Sequence, residues 1–122
     1  LTGVTVTLTA DLNGDGVAET LSAVTDADGF YAFTGLPVFR NDGTTAVPYV
    51  VTVVAATLPA GLMNTVDPDS AGTGDSTSAL TLSPGDPDNP DQDFGYRGNG
   101  ILGDRVWIDS NGNGVQDAAA LE

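Results

Sequence analysis

The sequence predicts an all-β protein, an antiparallel β-sandwich of about seven strands. Three observations carry that reading. Short stretches alternate apolar and polar residues with a period of two, no stretch has the 3.6-residue spacing of an amphipathic helix, and sixteen Gly and seven Pro punctuate the chain where turns are needed. The acids agree: all but two of the seventeen are Asp, whose short side chain suits turns and oxygen-ligand loops, whereas Glu suits helices.

The elements follow in order. Val4-Thr5-Val6-Thr7-Leu8-Thr9-Ala10 alternates without a fault, so it is a strand with one buried face, and Val4, Val6 and Leu8 are core. Residues 20–25 read as a weaker strand, Asp26-Ala27-Asp28-Gly29 as a compact turn, and residues 30–34 as the return strand of a hairpin that stops before Pro37. The valine-rich stretch 49–57 reads as a central strand covered on both faces. Residues 58–77 read as loop, 78–82 as a short strand, and 101–108, with Val106, Trp107 and Ile108, as the last strand.

Length sets one domain, because 122 residues support a single core burying roughly two-thirds of the unfolded surface. Residues 1–100 are expected to form the sandwich module, and 101–117 a further strand and loop that complete this sandwich or a neighbouring one. Ala118-Ala119-Ala120-Leu121-Glu122 reads as a vector-derived scar. No signal peptide precedes Leu1, so the chain is expected to be a piece of something longer. Three Arg, no Lys and a net charge of −14 make nucleic acid and anionic membranes poor partners, since both require cations to meet phosphate. With no Cys there is neither disulfide nor thiol chemistry, and no apolar run approaches the roughly twenty residues that span a bilayer.

The densest chemistry lies in Asp11-Leu12-Asn13-Gly14-Asp15-Gly16-Val17-Ala18-Glu19. Oxygen side chains at relative positions 1, 3 and 5, Gly at 6, a backbone carbonyl at 7 and an acid at 9 match the first three-quarters of an EF-hand loop, in which the chain coils round a calcium ion about 2.4 Å from each oxygen. The twelfth position is Ser22, so the bidentate Glu that usually closes such a loop is missing. Asp109-Ser110-Asn111-Gly112-Asn113-Gly114-Val115-Gln116-Asp117 repeats the register. The expected calcium ligands are therefore Asp11, Asn13, Asp15, Val17 and Glu19 in one loop and Asp109, Asn111, Asn113, Val115 and Asp117 in the other; the competing reading is a pair of Asx-Gly turns that only join strands. Asp26 and Asp28 are weaker candidates, since they suit the hairpin turn. So are Asp91 and Asp93, part of the cluster Asp86, Asp88, Asp91 and Asp93, which repels itself unless solvated or neutralised. Trp107, Tyr31 and Phe33 read as core aromatics rather than a sugar platform.

Catalysis has little to work with. The absence of His, Cys and Lys removes imidazole bases, thiol nucleophiles and Schiff bases, leaves carboxylate pairs alone, and strips zinc of its usual ligands. The chain is not expected to be an enzyme.

Gly3-Val4-Thr5-Val6-Thr7-Leu8, Asp26-Ala27-Asp28-Gly29-Phe30-Tyr31, Asp93-Phe94-Gly95-Tyr96 and the run from Gly103-Asp104-Arg105-Val106-Trp107 through the second loop together resemble the calcium-binding B domains of serine-aspartate-repeat surface proteins (SdrD-type), a branch of the collagen-adhesin B-type modules. The resemblance implies an immunoglobulin-like or prealbumin-like sandwich, repeated in tandem, that spaces a binding head from a bacterial surface. It places the chain outside the cell, on a bacterial surface or secreted, with neighbouring repeats as partners. In that family the block resembling 102–117 opens a module, whereas here it stands last, so self-association through 101–117 by strand donation is a further expectation. Many such modules carry a Lys-to-Asn or Lys-to-Asp isopeptide crosslink, which a chain without Lys cannot form. The resulting expectation is a calcium-stabilised spacer module of an adhesin; the alternatives are a ligand-binding module for carbohydrate or host protein, and a strand-donating assembly unit.

Overall fold

A computed structural model describes residues 1–71, 74–98, 100 and 102. Two antiparallel sheets form. Strands β1 (Thr5–Ala10), β2 (Glu19–Val24), β3 (Tyr49–Val53) and β6 (Thr77–Leu80) make a four-stranded sheet in the order β2-β1-β3-β6, and β4 (Leu62–Asp67), β5 (Ser70–Ala71) and β7 (Gly95–Gly98) make a three-stranded sheet in the order β5-β4-β7. The expected all-β sandwich is borne out; the only helical piece among the described residues is the 3-10 turn Ala55–Thr57.

The alternation of β1 determines the core. Val4, Val6, Leu8 and Ala10 are all at most 4% exposed, while Thr5, Thr7 and Thr9 lie half-buried on the opposite face. β1 is hydrogen-bonded on both sides, to β2 from Thr5↔Val24 to Ala10↔Glu19 and to β3 from Val6↔Val53 to Thr9↔Val50. The buried row of β3, Tyr49, Val51 and Val53, therefore lies beside that of β1, and Val47 and Leu82 complete the cluster. Tyr49, the largest fully buried side chain, donates its hydroxyl to the Pro37 carbonyl at 2.5 Å, which satisfies the one polar atom the core admits there. Its phenol pKa is raised by burial.

Several expectations need correction. The predicted hairpin between 20–25 and 30–34 does not form: β2 pairs with β1, because the loop after Ala10 returns the chain directly onto its neighbour. Residues 30–34 join no ladder, although Tyr31 and Phe33 still alternate inward with exposed neighbours and pack on the core with their rings edge to face, 6.0 Å between centroids. The stretch 49–57 is central in the sheet but shorter and covered on one face only, with Val50 exposed. The region 58–77 is not simply loop, because it contains β4 and β5. β7 was hidden by its two glycines; Gly95 is there because a Cβ would stand 3.1 Å from the Val66 side chain, at the irregular register between Asn64 and Val66. The predicted strand 101–108 lies outside the described residues apart from Leu102, which belongs to no strand.

A buried carboxylate ties the second sheet to β6. Asp67, 3% exposed, accepts hydrogen bonds from the Asn64 amide at 2.7 Å and from the backbone N–H groups of Asp75 and Ser76 at 2.6 and 3.2 Å. Those bonds hold the chain as it enters β6, where Ser76 takes a left-handed φ of 67° that costs a non-Gly residue energy unless its surroundings impose it. The Tyr96 hydroxyl of β7 closes the cluster on Ser76 Oγ at 2.8 Å.

Three variants test this packing by denaturant unfolding. Val6→Ala is expected to cost about 2 kcal/mol through lost burial and a residual cavity. Asp67→Ala is expected to cost about 3 kcal/mol by leaving buried donors unpaired. Asp67→Asn is expected to cost less, because its remaining oxygen still accepts the Asp75 and Ser76 N–H groups.

Candidate metal centre

The first oxygen-rich loop is the β1–β2 connection. Asp11 follows the last residue of β1, and Glu19 opens β2 opposite Ala10, so the two strand ends bring the first and ninth motif positions together. Between them the chain coils with Gly14 and Gly16 at φ of 77° and 86°, the left-handed region that glycine enters at no steric cost. Asp11 is the hub: Oδ1 accepts the N–H groups of Gly14 and Asp15 at 2.7 and 3.1 Å, and Oδ2 accepts that of Gly16 at 3.0 Å. Asn13 Oδ1 accepts Asp15 N–H at 2.9 Å, and Asp15 Oδ1 accepts Val17 N–H at 2.7 Å. Glu19 closes the ring by accepting Leu12 N–H at 2.7 Å and the Asn13 side-chain amide.

Four of the five expected groups are thus gathered by side chain, and Val17, the carbonyl position, lies in the same coil, its residue 65% exposed. The oxygens are turned largely onto the loop's own amides, and among the described residues no three acidic side chains converge on one point. The donor set nevertheless suits calcium, being carboxylate, amide and carbonyl oxygen throughout. An oxygen that accepts one N–H keeps a second lone pair. Ser22, the twelfth motif position, pairs with Thr7 in mid-strand, so the loop ends at Glu19 because a strand, not a helix, follows. Sequence reading missed Asn41, whose side-chain amide donates to the Asn13 carbonyl and which lies against Gly14, where a Cβ would come 2.7 Å from it; twenty-eight residues separate the partners and no motif links them.

Asn41 is carried on its own acid-built turn. Asp42 accepts the N–H groups of Thr44 and Thr45 at 2.9 and 2.8 Å, and the Thr45 hydroxyl. The hydroxyl, then those amides, hold the Asp42 carboxyl down at about 2.

The other candidates do not join the loop. Asp26 Oδ1 accepts the N–H groups of Asp28 and Phe30, both at 2.9 Å, which is the work of a turn residue, and Asp28 is exposed. Asp91 and Asp93 are exposed as well. Asp93 lies near enough to Tyr31 to add, after burial, to the rise of that phenol to about 12; the hydroxyl donates to the Gln92 carbonyl at 2.6 Å. The second loop, Asp109, Asn111, Asn113, Val115 and Asp117, lies outside the described residues, as does Trp107.

Fold and loop together define a small β-sandwich module with an acidic coil joining its first two strands. The chain is 39% identical over 120 residues, 96% of its length, to serine-aspartate repeat-containing protein D of Staphylococcus aureus strain Newman, and equally to the proteins of that name in strains MW2 and NCTC 8325 / PS 47. It spans 8% of the length of each, so it corresponds to one domain-sized segment of a much longer protein, and the resemblance drawn from its motifs is borne out. No protein-family model matches the chain, and no solved structure matches it.

The Asp42 turn yields a prediction with a definite sign. Its carboxyl should titrate near pH 2 in an NMR titration, so its contribution to the fold is present above the ordinary carboxylate range and is lost as pH falls through about 2. Thr45→Val should move that midpoint up toward the model-peptide value.

Proposed function

We propose that the chain is a calcium-stabilised spacer module of a bacterial cell-surface or secreted adhesin, working as one of several repeats and without catalysis. The observation that carries this reading is the β1–β2 loop, which gathers Asp11, Asn13, Asp15 and Glu19 into one coil between the ends of the two strands. The relationship to a short segment of a repeat-containing protein supports the modular role. Among the described residues no helix is long and apolar enough to cross a membrane.

In this reading Asp11, Asn13, Asp15 and Glu19 hold the ion by side-chain oxygens and Val17 by its carbonyl, with Asp109, Asn111, Asn113, Val115 and Asp117 forming the second site. Calcium there supplies charge neutralisation and crosslinks the ends of β1 and β2. At millimolar calcium, a site with a dissociation constant of about 10 μM stabilises the fold by roughly 2.7 kcal/mol, a large share of the stability of a domain this size.

Isothermal calorimetry on Asp11→Asn/Asp15→Asn tests the assignment. Asn at position 11 keeps one acceptor oxygen for the Gly14 and Asp15 amides, gives up the Gly16 bond to Oδ2 and removes the charge, so the variant should fold with some loss of stability and lose one calcium equivalent. Unchanged stoichiometry refutes the first loop as a site.

A further inference from the structure

The strand edges of the two sheets are not alike. At β6 the Ala79 N–H is taken by the Asp69 carboxylate at 3.1 Å, β5 is two residues long, and β7 carries the cation Arg97. Charges, caps and shortness keep an edge from pairing with another chain. β2, the outer strand of the four-stranded sheet among the described residues, has none of these. From Thr20 to Val24 it contains no charge and no Pro, in a chain with seventeen acids. It pairs with β1 residue for residue, without a bulge, and Thr20, Leu21, Ser22 and Val24 are exposed. The ladder sets which backbone groups point outward. The Thr25 N–H donates to the Val4 carbonyl and the Val54 N–H to the Thr5 carbonyl, both at 2.9 Å, so the even-numbered residues of β1 bond toward β2 and the odd-numbered ones toward β3. The alternation of an antiparallel ladder then turns the backbone groups of Glu19, Leu21 and Ala23 onto β1 and those of Thr20, Ser22 and Val24 to the edge, where none has a partner among the described residues.

We infer that β2 is a docking edge for a second copy of this chain, paired antiparallel about a two-fold axis at Ser22. With Ser22 opposite Ser22 of the second copy, Thr20 lies opposite Val24 and Val24 opposite Thr20, and this register alone engages every outward-facing group of the strand. The four-stranded sheet then continues through the contact into its copy. Leu21, 37% exposed, comes opposite Ala23 on the inner face, and Val24, 61% exposed, beside Thr20 on the outer one, so the pairing covers both. Charge selects the occupant. Two molecules at −14 repel least where neither presents an acid, and the two-fold axis lays the neutral strip against itself. The nearest acids, Glu19 and Asp26, fall at the two ends of the pairing, so salt that screens them tightens it. A six-residue edge buries less than the roughly 1,200 Å² of a stable interface, which makes the dimer a weak one.

Because the chain has no Cys, one substitution reports the axis. In Ser22→Cys the two thiols face each other across it, within disulfide reach at the roughly 5.5 Å Cα separation of a hydrogen-bonded pair. Thr20→Cys leaves its two thiols four residues apart along the strands, about 14 Å, and out of reach. Under mild oxidation of the full chain, Ser22→Cys should form a covalent dimer at least about tenfold faster than Thr20→Cys; equal rates would mean random collision and overturn the proposal. Sedimentation of the unaltered chain supplies the second reading. A dimer should appear between about 10 μM and 1 mM, more of it at high salt than at low, and should be lost in Ser22→Pro, which removes an outward N–H and keeps the ladder to β1. A monomer throughout that range, or a dimer that survives Ser22→Pro, would overturn it.

Discussion

The structure depends on one alternation, the burial of Val4, Val6, Leu8 and Ala10 from a strand that is hydrogen-bonded on both edges. A shift of one residue would exchange this row for threonine, so the register of β1 fixes that of β2 and β3 as well. It also fixes where the chemistry sits. Asp11 is the next residue after the buried Ala10, and Glu19 is paired with Ala10 itself, so the acidic coil is anchored directly to the end of the buried row.

The acids share a common use. Asp11, Asp26, Asp42 and Asp67 each accept two or more backbone N–H groups, so turns that lack long ladders are closed by carboxylates. Asp75, beside Asp67, accepts the Thr77 hydroxyl, which, followed by the Thr77 amide, lowers its pKa. A chain carrying −14 with only three cations accumulates self-repulsion from this strategy. Under the proposed calcium role, a divalent ion in the β1–β2 coil, where three carboxylates lie within nine residues, would relieve part of that repulsion and add a crosslink that no disulfide or Lys-based bond is available to make.

Elements whose own residues carry the signal were legible in the sequence. The alternation in 4–10 and the glycine-punctuated acids in 11–19 pointed to a core strand and a coil whose positive-φ glycines and amide-capping carboxylates the structure contains. What was hidden depended on long-range choices. β2 pairs with β1 instead of with 30–34, a matter of topology that local turn signals at Asp26 and Gly29 do not encode. β4 contains Asn64 and Asp67, polar residues made tolerable in a strand by partners ten or so residues away, and β7 opens on Gly95, where Val66 leaves little room for a Cβ. Asn41 reaches the coil from a separate turn, and only the folded chain brings the two together.

A thermal melt in millimolar calcium, repeated after chelation, asks whether the β1–β2 coil is a calcium staple. If calcium staples the coil, the melting point should fall by well over about 10 °C on chelation, as expected for losing a few kcal/mol in a domain of this size, and be restored by calcium and poorly by magnesium. A melting point that ignores both chelator and calcium would contradict it and leave the coil a turn closed by its own amides.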